Sequence, residues 1–443
     1  MNSRSAHDTA FTWQQGWRYG LMGLPLAFVA LPLYVLLPNL YARTFGMPLA
    51  TLGAVLLGAR LFDALIDPLL GRWSDRLFGR SPYAVLRWGG LAAMALGLGF
   101  AALFFPPVST RGMLMAWLVL ALAWTYAAYS ALSVLHQSWG ARLGGDEVQR
   151  SRVVAWREGL GLLGVVLAAI SPLALGLLAS VALFYIALLG GWLAWRVAMI
   201  PPPARPARLG SDVAVGGALR GAAGGAVDGL PASLTLPFAR PAFRALLAVF
   251  MVNGIASAVP ATLLLFFVQD RLQAASTWEP LFLGSYFLSA ALAIPLWLRL
   301  VPRWGLACTW GVGMLLSVVV FVFAANLGVG DSVAFLLVCA LSGAALGSDL
   351  ALPGALLAGT IADSGDRGHA EGAYFGWWNF ATKLNLALAA GVALPLLAAL
   401  GYMPGTRDPQ ALQTLSLAYC VLPCVLKLLA AFLLYFLILR KTP

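Results

Sequence analysis

The chain alternates between long apolar runs and short polar or basic stretches. A helix needs about 20 apolar residues to cross the hydrocarbon core of a bilayer. Twelve runs come near that length, at approximately 19–42, 48–71, 83–105, 112–140, 153–177, 179–200, 241–268, 278–299, 304–327, 331–360, 370–401 and 411–439. The pattern therefore predicts an all-α membrane protein with twelve transmembrane helices. The join between the fifth and sixth helices is expected near Gly176–Ser180.

Composition supports this class and excludes others. Of the 443 residues, 61% are hydrophobic and 10% are charged, whereas soluble domains have about 45–50% apolar and about 25% charged residues. A soluble enzyme, a disordered chain and a nucleic-acid-binding domain are thereby excluded. The net charge of +11 reflects basic residues between the apolar runs, which is typical of a multi-pass membrane protein.

The basic residues are distributed unevenly between the two sides of the predicted membrane. An even number of helices places both termini on one side, which we call the terminal side. Twenty Lys and Arg residues fall on that side and four on the other, namely Arg43, Arg111, Arg271 and Arg407. Cytoplasmic loops carry the excess of basic residues, so both termini are predicted to be cytoplasmic. The preference for Arg over Lys and for Ala, Leu and Gly favours a bacterial inner membrane.

The chain is predicted to divide once. Residues 201–237 contain 13 Gly or Pro in 37 positions, a composition typical of a flexible linker. We therefore predict an N-terminal six-helix half at 1–200, a cytoplasmic linker at 201–240 and a C-terminal six-helix half at 241–443.

Three ionisable residues lie within the second apolar run. Arg60, Asp63 and Asp67 are spaced i, i+3 and i+7 and share one helix face. Ionisable groups in hydrocarbon are costly, and two neighbouring carboxylates repel each other unless a cation or a proton lies between them. Asp63 and Asp67 are therefore predicted to bind a coupling cation, with Lys383 of the eleventh run and Arg60 as counter-charges. The alternative is permanent neutralisation by static ion pairs.

Further polar and aromatic residues at membrane depth are candidates for contact with a solute. They are Arg157, Asp349, His136, Asn253, Trp124, Tyr129 and Trp377. Each has a structural alternative: Arg157 can pair with Glu158, a lone His136 is often a packing residue, and aromatic residues are common at membrane interfaces. The cysteines all lie inside apolar runs and are interpreted as small buried residues. No catalytic, metal-ligating or cofactor motif is found, so we expect neither enzymatic activity nor a cofactor other than H⁺ or Na⁺.

Two motifs resemble known families. The stretch Gly71-Arg-Trp-Ser-Asp75-Arg76-Leu-Phe-Gly79-Arg80 resembles the GxxxDRxxGR signature of the major facilitator superfamily. The resemblance implies two six-helix halves and alternating access. It also implies that Gly71, Asp75, Arg76, Gly79 and Arg80 form a conformational latch.

The second motif is Asp63-x-x-x-Asp67-Pro68-x-x-Gly71. Together with Tyr19-Gly20, Arg150-Ser-Arg152, the stretch 371–376 and Lys383, it is similar to the glycoside–pentoside–hexuronide:cation symporters of the melibiose-permease type. This resemblance implies cation binding at Asp63 and Asp67, with Lys383 beside them and Arg157 near the sugar.

The sequence departs from that pattern in three places. Ala27 and Leu132 occupy the positions of the sugar-binding aspartates, and Ile66 replaces an amide residue found in sodium-using members. We therefore predict symport of a small organic solute, glycoside-like or other, with H⁺ favoured over Na⁺. The alternatives are transport of an amphiphile such as a lysophospholipid, or a non-transporting sensor or scaffold. The expected partners are the solute, the cation and the lipid bilayer, with no nucleic acid, and the protein is expected to be a monomer.

Overall fold

A computed structural model describes residues 11–108, 110–202 and 232–441, whose regular secondary structure is helical throughout. Twelve long helical segments of these residues are labelled α1 to α12. In the first half, α1 consists of Trp13–Gly20, Gly23–Leu31, the π-helical turn Pro32–Leu36 and Leu37–Arg43; α2 is Leu49–Arg80, α3 is Pro82–Phe104, α4 is Arg111–Leu143, and α5 and α6 together are Glu147–Arg196. In the second half, α7 is Pro241–Phe266, α8 and α9 together are Trp278–Phe321, α10 is Ser332–Asp363, α11 is Glu371–Ala399, and α12 consists of Pro409–Ser416, Leu417–Val421 and Leu422–Leu437.

Glycines divide the two longest helices. Gly176 separates α5 from α6 with φ 81° and ψ 169°, and Gly305 separates α8 from α9 with φ 73° and ψ 169°. A positive φ is strained for residues with a Cβ, and glycine adopts it readily. The join predicted near Gly176–Ser180 is therefore confirmed, and an equivalent break is found in the second half.

Eight described helices are long and apolar enough to cross a membrane by length and composition alone. These eight cover α3 to α10 and α12, because α8 and α9 are counted together as the segment Trp278–Asn326. The charged α2 is not among them, nor are the interrupted α1 and the helix α11. The count of twelve spans is therefore consistent with the helices but is not established by their composition.

Three hydrophobic cores hold the described residues together. One lies within the first half and a second within the second half. The third joins Val154, Ala155 and Leu162 of α5 to residues of the second half. Burial of apolar side chains therefore stabilises both the halves and one contact between them.

The two halves approach each other closely where α2 crosses α11. A Cβ atom added at Gly71 would collide with the carbonyl of Gly372, and one at Gly376 would lie 2.6 Å from the carbonyl oxygen of Asp67 and 2.9 Å from Cα of Pro68. Small residues allow helix backbones to touch in this way. This crossing brings Asp67 of the first half close to Lys383 of the second.

The predicted linker lies mostly outside the described residues, which omit 203–231. The described end of that segment differs from the prediction of a flexible chain, because Ala232–Ala239 is a helix. Phe238 packs against Phe243 and Trp377, and Trp377 Nε1 donates a hydrogen bond to the Leu234 carbonyl at 2.8 Å. These contacts compensate for the poor helix formers in this segment. The division at 200 and 240 remains a prediction.

Candidate functional site

Four oxygen atoms surround the ammonium group of Lys383 between the two halves. Lys383 Nζ lies 2.7 Å from Asp63 Oδ1 and 2.7 Å from Asp67 Oδ2. It also donates hydrogen bonds to Ser130 Oγ at 2.8 Å and to the Asp63 carbonyl at 3.1 Å. The Ser130 hydroxyl donates to Asp63 Oδ1 at 2.6 Å. The sequence prediction that Asp63, Asp67 and Lys383 lie together therefore matches the geometry, and Ser130 is an additional member.

These charges lie in a poorly solvated place. Asp67 is fully buried, Asp63 is 3% exposed, and the side chain of Lys383 is 21% exposed. Two carboxylates therefore share one ammonium in surroundings where unbalanced charge is costly. Arg60 lies on the exposed face of α2, and its charge also acts on Asp63.

Asp63 and Asp67 differ in their hydrogen bonding. Asp63 accepts a well-aligned bond from Ser130. Asp67 has its ion pair with Lys383, but neither of its oxygens accepts a well-aligned hydrogen bond from the described residues. A proton on Asp67 would weaken its ion pair with Lys383, whereas a proton on Asp63 would weaken its own ion pair with Lys383 and also compete with the Ser130 hydroxyl.

A second set of contacts closes the halves on the terminal side. Asp75 at the end of α2 accepts hydrogen bonds from the backbone amides of Gly372 at 2.7 Å and Ala373 at 2.8 Å. These amides belong to the first turn of α11, where the N-cap residue Ala370 makes no side-chain hydrogen bond. Asp75 therefore caps α11 across the interface, satisfying free amides and placing a negative charge at the positive end of the helix.

Arg142 at the end of α4 joins this network. Its Nη2 lies 2.9 Å from Asp75 Oδ1 and 2.9 Å from Glu371 Oε2, and Nη1 donates to the Gly368 carbonyl at 2.5 Å. Its guanidinium lies over the ring of Phe78 at 4.1 Å. One arginine of the first half is thus held by two carboxylates and a loop carbonyl, and two of these three partners belong to the second half.

The network includes only part of the predicted latch. Asp75 is its centre, and Gly71 provides the helix crossing beside it. Arg76, Gly79 and Arg80 lie on the exposed side of α2, and the structure does not place them among these contacts. The motif does not indicate which face of α2 meets the other half. That face is determined by how the helices pack.

A second buried ion pair lies inside the second half. Lys427 Nζ of α12 is 2.5 Å from Asp349 Oδ2 of α10. Asp349 Oδ1 accepts hydrogen bonds from Trp310 Nε1 at 2.8 Å and Asn253 Nδ2 at 3.1 Å. The structure thus joins two predicted solute contacts, Asp349 and Asn253, to a lysine and a tryptophan to which no role had been assigned.

Two other predicted solute contacts have structural partners within the first half. Arg157 donates to Glu158 Oε1 through Nε at 2.9 Å and Nη2 at 2.5 Å. His136 is fully buried, stacks on Tyr19 with ring centroids 4.3 Å apart, and has Nε2 2.9 Å from the Tyr19 carbonyl. These contacts fit the structural alternatives given above, namely an ion pair for Arg157 and a packing role for His136.

The predicted aromatic contacts are dispersed. Trp124 is 56% exposed and donates to the Ala95 carbonyl at 2.8 Å. Tyr129 packs against the core of the first half, and Trp377 holds the helix Ala232–Ala239 through its bond to Leu234. The structure does not bring these three residues together around one solute.

Four residues of these networks were not predicted from the sequence, namely Ser130, Arg142, Glu371 and Lys427. Ser130 is one of several serines in α4, and Arg142 is one of many basic residues on the terminal side. Glu371 opens the stretch 371–376, which is the signal that could have marked it. Lys427 could have been found by pairing the few intramembrane cations with the few intramembrane acids.

Comparison with known families decides the class of this protein. The model of the MFS/sugar transport protein family matches residues 18–200 and 230–441. The chain belongs to the MFS/sugar transport protein family. No curated protein sequence matches it.

Solved structures similar to this MFS protein are transporters. A bacterial homologue of the iron transporter ferroportin in the outward-facing state has a TM-score of 0.67 at 17% identity, covering 94% of this chain and 99% of that one. The E. coli fucose:proton symporter FucP has a TM-score of 0.64 at 15% identity, covering 93% and 98%. The human organic anion transporter MFSD10 has a TM-score of 0.57 at 20% identity, covering 96% and 100%.

The family and the fold together establish a multi-pass membrane transporter with the major facilitator fold. The expected all-α class is confirmed, as is the prediction that this MFS protein is not an enzyme. The narrower resemblance to melibiose-type symporters remains a prediction, since the neighbours share the fold at low identity.

Proposed function

We propose that this transporter is a cation-coupled symporter in which the cation competes with Lys383 for Asp63 and Asp67. The observation that supports this most is the position of the Lys383 ammonium, which is held by four oxygens of α2 and α4. Lys383 belongs to the other half, so whatever displaces it also removes a contact between the halves.

This geometry supports a mechanism of coupling. A cation that enters between the carboxylates competes with the ammonium for the same oxygens, and a proton on Asp67 removes one of the two negative charges that hold Lys383. Either event weakens the interface between α2 and α11. A ligand shifts a conformational equilibrium only through different affinities for the two states, and the effect is reciprocal. A solute that favours the same rearrangement is then bound together with the cation.

We favour H⁺ over Na⁺. Four oxygens near Lys383 are already occupied by the ammonium, and Ile66 beside Asp67 contributes no side-chain oxygen. A metal cation needs several oxygen ligands, whereas a proton needs only one carboxylate. The lack of well-aligned hydrogen bonds to Asp67 supports it as the proton acceptor.

The solute is proposed to be a small organic molecule other than a melibiose-type sugar. Leu132, at the position of a sugar-binding aspartate, is fully buried in the core of the first half. An amphiphile such as a lysophospholipid is the alternative. We further propose a bacterial inner membrane with both termini cytoplasmic, in which case closure by Asp75 and Arg142 lies on the cytoplasmic side.

The proposal is tested by thermal unfolding of the purified protein across pH, in NaCl and in choline chloride. A ligand that binds only the folded state raises its stability. We expect a pH response in the wild type that is smaller in Asp67→Asn and unchanged in Asp363→Asn, a control substitution at the exposed end of α10. A stabilisation by Na⁺ that is lost in Asp67→Asn would identify Na⁺, rather than H⁺, as the coupling cation. Equal responses in both variants would contradict the proposed site.

A further inference from the structure

A cavity lies within the second half, apart from the Lys383 centre. Its volume is about 160 Å³, and all of its lining residues come from α7, α8, α9, α10 and α12. Aromatic rings of Phe282, Tyr286, Phe321 and Tyr419 form much of its wall. An apolar cavity of about 150 Å³ is large enough to bind benzene.

The cavity also has a polar end. Asp349 and Lys427 line it and form the buried ion pair. The carboxylate of Asp349 is well satisfied, since it accepts bonds from Lys427, Trp310 and Asn253. An ammonium has three N–H donors, and Asp349 is the one partner that the structure gives to Lys427 among the described residues. Lys427 therefore has donors left for an oxygen acceptor.

The aromatic wall and the polar end of the cavity favour different kinds of occupant. A buried water needs two to four polar partners, which the Asp349–Lys427 end provides, whereas most of the other lining residues are apolar. Leaving the apolar part empty lowers stability in proportion to its volume. A molecule with an apolar body and one oxygen atom satisfies both parts.

The charge balance defines the oxygen group. Asp349 and Lys427 neutralise each other, so an added carboxylate would be a buried charge without a partner, which is strongly unfavourable. A hydroxyl or carbonyl oxygen accepts a hydrogen bond from Lys427 without adding charge.

We propose that this cavity is a second binding site, for neutral molecules with a benzene-sized apolar body and one hydroxyl or carbonyl oxygen. The site is formed by the second half alone and does not depend on cation coupling at Asp63 and Asp67.

The test uses the purified full-length protein with benzyl alcohol as the probe and thermal unfolding as the measurement. In Ser342→Leu the added side chain fills the cavity. The Ser342 hydroxyl donates only to carbonyls of its own helix turn, so its loss leaves no distant partner unsatisfied. Leu341→Phe is the matched control, because Leu341 is 54% exposed on the same helix.

We expect saturable stabilisation by benzyl alcohol in the wild type and in Leu341→Phe, and none in Ser342→Leu. Effects of the alcohol on the detergent are shared by all three proteins and cancel in the comparison. Toluene, which lacks the oxygen, should bind roughly tenfold more weakly than benzyl alcohol, because it forgoes a hydrogen bond to a charged group. In Lys427→Met/Asp349→Asn, which keeps the charges balanced, this preference should disappear.

Three results would overturn the proposal. The first is no saturable stabilisation by benzyl alcohol, which would leave water as the occupant. The second is equal stabilisation of the wild type and Ser342→Leu. The third is equal binding of benzoate at pH 8, which would contradict the requirement for a neutral group.

Discussion

Asp75→Asn tests whether capping of α11 from the other half holds the terminal side closed. Asp75 accepts one bond from the charged Arg142 and two from the backbone amides of Gly372 and Ala373. Asparagine offers one acceptor oxygen and no charge. It therefore loses the ion pair with Arg142 and at least one bond to a backbone amide, while the NH₂ group faces donors.

The expected size of the effect follows from these bonds. A hydrogen bond to a charged group contributes about 1.5–3 kcal/mol, and a helix cap contributes about 1 kcal/mol. Because asparagine keeps part of the capping interaction, we expect the closed state to lose about 2 kcal/mol. That is a shift of roughly thirtyfold in the equilibrium between the closed and open arrangements of the terminal side.

The assay is a distance measurement between spin labels at Arg87 and Asp363, exposed positions on α3 and α10. Cys308, the most accessible cysteine, is replaced by serine. We expect Asp75→Asn to add a population at longer distance. Arg76→Gln, which removes an exposed charge from the same motif, should leave the distances unchanged. An unchanged distribution in Asp75→Asn, or the same change in both variants, would refute the assigned role of Asp75.

Two further predictions concern helix packing and the second ion pair. Gly376→Ala should separate α11 from Asp67, because its Cβ would lie 2.6 Å from the Asp67 carbonyl. The spin-label distances should therefore lengthen. Gly391→Ala is the control and should leave them unchanged, because its Cβ would meet no neighbouring atom within 4 Å. Lys427→Met should destabilise the protein by about 3–5 kcal/mol, since it leaves Asp349 buried and unpaired. A large part of that loss should return in the double variant with Asp349→Asn, measured by thermal unfolding, and failure of this rescue would show that the lysine acts in another way.

Much of the fold was predictable because membrane crossing imposes a simple length requirement. The helix ends were less so: α2 continues to Arg80, beyond the apolar run, and α5 begins at Glu147. Polar helical turns outside the hydrocarbon carry no length signal. The helix Ala232–Ala239 was missed because its stability comes from contacts with Phe243 and Trp377 rather than from local propensity.

The site was predictable where charge was scarce. Few ionisable residues lie in the apolar runs. Asp63, Asp67 and Lys383 could therefore be paired from the energetic cost of leaving their charges unpaired in the membrane. Ser130 could not, because nothing in the sequence separates it from Ser133 in the same helix. Trp124 was assigned to the solute although it is 56% exposed and donates a hydrogen bond to Ala95 of α3, because composition does not specify helix orientation.

Asp349 illustrates why partners need the three-dimensional structure. Its partner Lys427 lies 78 residues away, on another helix, and Lys383 was an equally acceptable cation by sequence. Packing assigned one lysine to each site: Lys383 pairs across the halves, and Lys427 pairs within one half.

The measurement closest to the central claim is the ¹⁵N resonance of the Lys383 ammonium. The chain contains three lysines, Lys383, Lys427 and Lys441, so Lys441→Arg leaves two signals, and Lys427→Met/Asp349→Asn identifies which is which. If a cation displaces Lys383 from the carboxylates, its resonance shifts as the pH falls, and this shift is absent in Asp67→Asn. A Lys383 resonance that responds neither to pH nor to Na⁺ would contradict the account, since the ion pair would then be a static bridge between the halves.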